Sequence, residues 1–232
     1  MTAYVLDTEA SGLDMPHAAE IAYMDINSPL EFKSVICQRF NPLKPMSLGA
    51  MAVTGICDED LQDCPPHTDF KLPANTVCLI GHNIDFDCQV LANAGADLTN
   101  VKTICTLAIA KDIYPDLDSY TLLALLYHID KPYANEMATK AHNAAFDVLF
   151  AAKLYFESYR QAIKKYGEKV ASIERMYDFS QYARIPKKMP FGKHKGVAMH
   201  ELPKEYVNWA VNNLQDIDIY LKTALTNQLQ GV

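Results

Sequence analysis

Two carboxylates stand close together near the start of the chain, where an apolar run that predicts a strand ends at Asp7 and Glu9. Because strand side chains alternate, both acids would point to the same face, roughly 7 Å apart. Carboxylates on a buried strand need cations or hydrogen-bond donors. The pair therefore indicates a site for divalent metal ions. The alternative is a strand that ends at Asp7, with both acids solvated in a turn beside Gly12.

Further acids and one histidine occur where the chain is predicted to enter later helices. Asp87 would lie one turn into the helix that follows the apolar run 76–80, near the strand ends where open sheets place ligands. Asp85 competes for this role, although a first-turn charge at a helix N-terminus explains it better. His142 and Asp147 are five residues apart, which on a helix is a rotation of about 140°, so they could not share a face if both were helical. Asp147 is therefore expected on the first turn of another helix, with His142 on the preceding loop. Separately, each of these residues is also common on protein surfaces.

Together, the four carboxylates and the histidine are a complete set for two-metal hydrolysis of a phosphodiester. Oxygen ligands from Asp and Glu select Mg²⁺ or Mn²⁺ over Zn²⁺. Two such ions roughly 4 Å apart would activate a water and stabilise the leaving oxygen of an in-line displacement. A histidine titrates near neutrality, so His142 suits the general base that deprotonates this water.

Apolar runs predict the strands and helices that must position these residues. Five runs predict strands, at residues 3–7, 20–26, 34–40, 76–80 and 101–105. One helix is predicted after the fourth strand, with Asn83 as its N-cap, and a second follows the fifth strand and ends at residue 111. Two more helical patterns cover residues 119–127 and 143–159. Strands that come first and then alternate with helices indicate an α/β fold, with a mixed five-stranded sheet flanked by helices.

Charge divides the chain, which has 232 residues and a formal net charge of −7. Residues 1–150 hold 20 Asp or Glu and 8 Lys or Arg, whereas residues 151–232 hold 8 and 13. This asymmetry indicates an acidic working domain and a basic part that binds a polyanion.

No apolar run approaches a membrane span, and no signal or transit pattern opens the sequence. Cysteines without a C-x-x-C pair are expected to be reduced thiols in a cytoplasmic protein.

Composition predicts three segments along the chain. Residues 1–158 would form the acidic working domain. Residues 159–185 are polar, basic and helical in pattern, and are expected to form a linker. Residues 186–232 begin with a stretch dense in turn-forming and basic residues, and are expected to form a small basic module in contact with nucleic acid.

The acidic and histidine-containing motifs resemble a known family, the DEDDh 3′→5′ exonucleases, which are DnaQ-like and have a ribonuclease H-like fold. The resemblance covers residues 2–158. It rests on D-x-E beginning at Asp7, H-N-x-x-F-D ending at Asp87, and H-N-A-x-x-D ending at Asp147. All five catalytic positions of the family are filled, which argues against a degenerate member.

Two further segments, 53–56 and 103–111, are similar to the family's sequence before its second motif and to its D-T-L-x-L-A-R stretch. Here Cys105 stands where many members have Asp, and Lys111 stands where many have Arg. Neither is a metal or base position, so these differences leave the catalytic prediction unchanged.

The resemblance implies a role for each motif residue. It implies two Mg²⁺ ions, replaceable by Mn²⁺, with His142 as the general base. The implied metal ligands are Asp7, Glu9, Asp87 and Asp147. It also implies release of 5′-mononucleotides from a 3′ end, with Ala10 and Leu13 in contact with the terminal nucleotide.

The carboxy-terminal module is similar to the small module of exonuclease X-type bacterial proteins, through residues 189–196 and 202–209. In its basic turn, Lys193 and Lys195 are expected to contact phosphate. Tyr206 and Trp209 are expected in the module's own core, because about 40 residues need their large apolar side chains inside. Base stacking by these two rings is the alternative.

These observations predict a Mg²⁺-dependent 3′→5′ exodeoxyribonuclease that acts on single-stranded DNA or on DNA with a free 3′ end, in repair or recombination. The first alternative is an enzyme of the same mechanism that trims RNA. The basic module argues against very short RNA substrates, which need no extended grip, but not against long RNA. The second alternative is a proofreading subunit defined by a polymerase partner. A homodimer and a repair partner are also left open.

Overall fold

Five strands form one mixed sheet in the amino-terminal part of the chain, within a computed structural model that describes residues 2–215 and 217–230. The strands are β1 (Thr2–Ala10), β2 (Ala18–Asp25), β3 (Ile36–Arg39), β4 (Thr76–Gly81) and β5 (Lys102–Cys105). Their order across the sheet is β3-β2-β1-β4-β5. The first three strands pair antiparallel, whereas β1 with β4 and β4 with β5 pair parallel. The predicted five-stranded mixed sheet is confirmed.

The central strand β1 has consecutive apolar residues because both of its faces are buried. Its residues Val5 and Leu6, which point to opposite faces, are both fully buried. The run gives way to polar residues only toward the end of β1, at Asp7, Thr8 and Glu9. The first acidic motif therefore lies at one end of the most buried strand of the sheet.

Helices lie between and after the strands along the chain. In chain order they are α1 (Leu48–Thr54), α2 (Ile84–Asn93), α3 (Thr106–Ile113), α4 (Leu122–Ile129), α5 (Lys131–Met137), α6 (Ala144–Tyr166), α7 (Ile173–Arg184), α8 (Lys204–Asn213) and α9 (Ile219–Gln230). Asn143 caps α6 by accepting a bond from the backbone N–H of Phe146. Asn83 occupies the N-cap of α2 as predicted, but with a left-handed φ of 64° and no capping bond from its side chain.

Helix α6 is longer than the predicted 143–159, since it continues to Tyr166. The polar, basic residues after 159 still extend the helix, because Lys and Gln are good helix formers. The helix stops at Gly167, whose φ of 74° lies in the left-handed region. The change in composition near residue 159 therefore does not mark a change of element.

The chain separates into two compact units between Ser180 and Gln181, which places most of 159–185 inside the first unit. The predicted linker is thus wrong as a linker: Met176 and Phe179 are buried in the same core cluster as the sheet. The hydroxyl of Ser180 accepts a 2.8 Å bond from the backbone N–H of Cys105, at the end of β5. On α7, Glu174, Arg175 and Asp178 are exposed, whereas Met176 and Phe179 face the core.

The second unit, from Gln181, has a small core of its own. Its buried members are Met189, Met199, Leu202, Val207, Ala210, Leu221, Ala224 and Leu225. Aliphatic and methionine side chains from α8, α9 and the preceding loop fill this core. Tyr206 packs at its edge, whereas Trp209 is 51% exposed, so the prediction that Trp209 is a core residue is wrong. In the residues that the structure describes, no helix is both long and apolar enough to cross a membrane.

Candidate active site

Three carboxylates from two elements converge at the end of β1. One oxygen from each of Asp7, Glu9 and Asp147 lies within 4.8 Å of the others. Asp7 and Glu9 share a face of β1 because they are two residues apart, and Asp147 lies in the first turn of α6. Asp147 is 8% exposed and Glu9 is 9% exposed. The structure therefore brings together three of the four predicted metal ligands in one partly buried cluster.

Asp87 lies beside this carboxylate cluster and is tied to β1 through Thr8. Its Oδ1 accepts a bond of 2.9 Å from the backbone N–H of Thr8 and one of 2.7 Å from the Thr8 hydroxyl. Asp87 is 3% exposed, whereas Asp85, the competing residue on the same turn, is exposed. The strand-to-helix junction thus directs Asp87 inward and Asp85 outward.

A glycine at the end of β4 allows this junction to pack closely against β1. A Cβ added to Gly81 would lie 2.9 Å from the carbonyl oxygen of Leu6 and 2.6 Å from Cδ1 of Ile84. Both distances are too short for a side chain. The absence of a side chain at Gly81 therefore lets α2 start close to the central strand and present Asp87 to Thr8.

His142 lies on the loop that leads into α6, as the spacing to Asp147 predicted. It is exposed and has a left-handed φ of 62°. Its backbone N–H donates a 3.0 Å bond to Oδ2 of Asp147. This bond fixes the loop to a carboxylate of the cluster and leaves the imidazole at the surface, where it can reach a substrate.

The carboxylates have raised pKa values because the structure places several of them, partly out of water, next to one another. Burial raises the pKa of Asp7 well above its usual range, and the charges of Asp87 and Asp147 raise it further. Burial, with the charge of Asp147, raises the pKa of Glu9 to about 8. The pKa values of Asp87 and Asp147 rise to about 7, mainly by burial, although bonds from Thr8 and His142 respectively lower them.

Glu20 is a further buried acid that the sequence did not single out. It faces Glu9 across the pairing of β1 and β2 and is 5% exposed. Its Oε2 is 3.2 Å from Nε of Arg39, and its Oε1 is buried without a hydrogen-bond partner among the described residues. The charge of Glu20 also raises the pKa of Glu9. Only the antiparallel register, which apolar patterns do not specify residue by residue, brings these two acids together.

The four weaker site predictions fall in different places. Ala10 is buried at the end of β1, and Leu13, shortly after it, is 86% exposed. Lys193 and Lys195 are exposed in the second unit. Thr8 was not predicted, although it is a polar residue between two acids on an otherwise apolar strand.

The donor set of the cluster fits a divalent metal ion. Its donors are carboxylate oxygens, which hard cations such as Mg²⁺ and Mn²⁺ prefer. Across residues 2–215 and 217–230, no Lys or Arg side chain pairs with Asp7, Glu9 or Asp147. Buried anions without a cation are costly, as the raised pKa values show. This acidic cluster can therefore hold a metal ion that offsets its charge.

Sequence comparison assigns the first unit to a family. The family RNase_T, described as "Exonuclease", matches residues 4–155, about two thirds of the chain. A second family, described as "Putative quorum-sensing-regulated virulence factor", matches residues 181–214, within the second unit.

Curated relatives include the PolC-type DNA polymerase III of two bacilli. The Bacillus subtilis protein is 28% identical over 179 residues, and the Bacillus cereus protein is 26% identical over 178 residues. In both cases the match covers 71% of this chain but only 12% of the relative. The chain thus corresponds to about an eighth of the length of these polymerases.

Solved structures of two exonucleases have a similar fold. Exonuclease X, in complex with 5′-overhanging duplex DNA, matches with a TM-score of 0.57 and 23% identity, over 77% of this chain and 99% of that chain. Escherichia coli exonuclease I, in complex with a dA16 oligonucleotide, matches with a TM-score of 0.54 and 19% identity, over 80% of this chain and 44% of that chain. A zinc-bound complex of the same enzyme with single-stranded DNA has a TM-score of 0.55 and 18% identity, over 80% and 43% of the two chains.

The sheet order, the carboxylate cluster at the end of β1 and the family match over residues 4–155 agree with the motif resemblance. The fold is the ribonuclease H-like α/β fold that the sequence predicted. This chain belongs to the RNase_T exonuclease family.

Proposed function

We propose that this protein is a metal-dependent exodeoxyribonuclease that removes 5′-mononucleotides from the 3′ end of DNA. Its substrate is single-stranded DNA or DNA with a free 3′ end, and its setting is repair or recombination in the cytoplasm. The observation that carries the proposal is the convergence of Asp7, Glu9 and Asp147 within 4.8 Å. The DNA complexes of exonucleases X and I, which share the fold, support DNA as the substrate.

In this proposal the metal ligands are Asp7, Glu9, Asp87 and Asp147. Two Mg²⁺ ions, replaceable by Mn²⁺, would activate a water and offset the charge that develops on the leaving oxygen. The rigid strand β1 and the first turns of α2 and α6 hold the ligands in place before substrate arrives. Thr8 fixes Asp87 through two bonds, so that carboxylate has little freedom to turn away.

His142 is the proposed general base. Its side chain is exposed on a short loop, and its backbone bond to Asp147 keeps that loop next to the cluster. A neutral imidazole can accept the proton of the attacking water and release it to solvent. The carboxylates are poorly suited to this step, because metal ions would hold them ionised and fully occupied.

Ala10 and Leu13 are proposed to contact the terminal nucleotide. Both follow the acidic pair of β1 within four residues. Leu13 is 86% exposed, which leaves an apolar side chain free to pack against a base. The small side chain of Ala10 leaves room at the end of the strand.

A proofreading role is the second candidate, favoured by the match to PolC-type polymerases. In this role the same chemistry would serve a polymerase that the chain binds. Size-exclusion chromatography with candidate polymerase subunits from the same organism separates the two roles: co-elution supports proofreading, and independent elution supports a free exonuclease.

The test of the main proposal compares 5′-labelled single-stranded DNA, duplex DNA and RNA of one sequence, with Mg²⁺ and with chelator. We expect a ladder that shortens from the 3′ end of DNA and disappears with chelator. Asp7→Ala and His142→Ala should each lose activity, by about 10²-fold or more for the general base. Lys222→Ala, an exposed substitution in the second unit, is the control and should retain wild-type activity.

Two outcomes count against parts of this proposal. An unchanged ladder from Asp7→Ala would contradict the metal site. A strong preference for RNA would overturn the choice of DNA while leaving the mechanism in place.

A further inference from the structure

The second unit carries a row of three aromatic rings on α8 and the loop before it. The ring centroids of His194 and Tyr206 are 4.3 Å apart, and those of Tyr206 and Trp209 are 5.8 Å apart. Tyr206 and Trp209 are three positions apart on α8, so they project from the same side of the helix. We call these three residues the ring strip.

The ring strip is partly exposed beside the core of the second unit: Trp209 lies at the surface, whereas His194 and Tyr206 are half-buried. Tyr206 packs one side against that core, while Trp209 remains 51% exposed. An isolated apolar side chain on a surface is ordinary, but three adjoining rings form a patch of the kind that marks a binding site. The flat faces of Tyr and Trp suit partners that are themselves flat and apolar.

Positive charge flanks the ring strip. Lys193 and Lys195 stand on either side of His194 and are exposed. The loop turns at Gly192 and Gly196, whose φ values of 72° and 84° lie in the left-handed region that favours glycine. Neither lysine forms an ion pair with an acid in the part of the chain that the structure describes.

The second unit contains more basic than acidic residues. Residues 181–232 hold seven Lys or Arg and four Asp or Glu. Glu205 is exposed next to Tyr206 and is the acid closest in sequence to the rings. The surface around the ring strip thus combines flat apolar faces with more positive than negative charge, which are the two properties that bind single-stranded nucleic acid.

We propose that the ring strip, with Lys193 and Lys195, binds the single-stranded part of the substrate, so that unpaired bases stack on the rings and the lysines contact phosphates. The proposal rests on the proposed function in taking DNA as the ligand. It concerns nucleotides other than the terminal one, which belongs to the carboxylate cluster of the first unit. Duplex DNA fits less well, because its bases are already stacked on one another.

The protein supplies its own reporter for this surface, because Trp209 is its only tryptophan. The full-length protein is titrated with an oligothymidylate in chelator, which prevents hydrolysis, and intrinsic fluorescence is recorded. Stacking of a base on Trp209 should quench the fluorescence to a plateau. A blunt duplex of equal length should quench it much less at the same concentration.

Substitutions separate stacking from charge. Trp209→Ala should weaken binding of a labelled oligothymidylate about tenfold, measured by anisotropy, and Trp209→Phe should retain most of the affinity. The double variant Lys193→Ala, Lys195→Ala should lower the slope of log Kd against log salt by about 1.4, or about 0.7 for each phosphate contact. Lys222→Ala on α9 is the matched control for loss of charge and should leave that slope unchanged.

Two results would overturn the proposal: no change in Trp209 fluorescence when anisotropy shows that DNA is bound, or equal salt slopes for the double variant and Lys222→Ala. A protein partner that quenches Trp209 while DNA does not would reassign the surface. The two proposals also fail separately. Quenching of Trp209 by DNA without any hydrolysis in Mg²⁺ would refute the exonuclease proposal and support the binding surface. Hydrolysis of DNA with unchanged Trp209 fluorescence would support the exonuclease proposal and refute the binding surface.

Discussion

Thr8 holds Asp87 with two hydrogen bonds to one carboxylate oxygen, although the two residues are 79 positions apart in the chain. Thr8 stands between Asp7 and Glu9 on β1, so the strand that supplies two acids of the site also positions a third from α2. The pKa of Asp87 remains at about 7 because burial outweighs these bonds.

Thr8→Val should therefore lower activity without unfolding the protein. Valine has nearly the shape of threonine but lacks the hydroxyl, so Asp87 keeps only its bond from the backbone. We expect metal affinity or activity to fall about 10- to 100-fold, as for other residues that support metal ligands. Steady-state kinetics over a range of Mg²⁺ concentrations measures this. Thr8→Ser retains the hydroxyl and should stay near wild type; equal losses in both variants would contradict the role of the bond.

The stability of the metal-free protein should fall as pH rises from about 4.5 to about 8. Carboxyls with a raised pKa bind more protons when folded than when unfolded, so deprotonation favours the unfolded state. The loss begins above about pH 4, the ordinary carboxyl pKa in the unfolded chain. It is complete near pH 8, because the folded pKa values of Asp87 and Asp147 are about 7 and that of Glu9 is about 8. Urea denaturation in chelator at several pH values measures it.

Two controls accompany the pH experiment. Glu9→Gln should flatten the dependence above pH 7, and Mg²⁺ should stabilise the wild type more at pH 8.5 than at pH 6.5. Between about pH 4 and 6.5 a buried histidine offsets part of this trend: burial lowers the pKa of His82 to about 4, so this one group favours the unfolded state as pH falls there. A wild-type protein whose stability rises between pH 6.5 and 8.5 in chelator would contradict the prediction.

Gly81→Ala should destabilise the protein and weaken activity together. The new Cβ would lie 2.9 Å from the Leu6 carbonyl oxygen, which cannot move without shifting β1. Overpacking of this kind costs about 1–3 kcal/mol, and here it also displaces the start of α2 and Asp87. Thermal denaturation and activity assays check both effects. Gly49→Ala on α1 is the control, where the added methyl group meets no close contact and should be neutral or slightly stabilising.

A chain that ends after residue 184 should be markedly more stable than one that ends after residue 158. The longer chain keeps Met176 and Phe179 in the core and keeps the bond from Cys105 to Ser180. Burial of each large apolar side chain contributes about 1.5–3 kcal/mol. Thermal melting of both chains tests this, and equal midpoints would show that 159–185 is a linker.

In the full chain, Ser180→Ala should cost about 1–3 kcal/mol, because the buried N–H of Cys105 loses its partner.

Local patterns in the sequence predicted the sheet and the positions of the acids, but not the contacts made between distant elements. All five strands are marked by apolar runs, and Asp147 and His142 lie on a helix start and its loop because their spacing allows little else. The bonds from Thr8 and the approach of Glu20 to Glu9 depend on strand register and on how α2 packs. Those are tertiary features with no local signal.

The basic carboxy-terminal part shows where composition misleads. Charge density near residue 159 suggested a boundary, yet apolar residues of that segment, among them Ala162, Met176 and Phe179, pack into the core. Conversely, Trp209 was expected inside because large apolar residues usually are, and smaller aliphatic side chains filled the core instead. In both cases burial depended on which side chains the tertiary structure brings together, and not on how apolar the segment is.

The left-handed backbone of His142 has a consequence for the evolution of this enzyme. A residue with a Cβ costs about 1 kcal/mol at a φ of 62°, and glycine would relieve that cost. In a mutant library selected only for thermal stability, glycine should become enriched at this position, and the selected variants should be more stable and inactive. In a library selected for nuclease activity, histidine should persist at the expense of stability. Sequencing both populations would separate what the fold prefers at this position from what the chemistry demands.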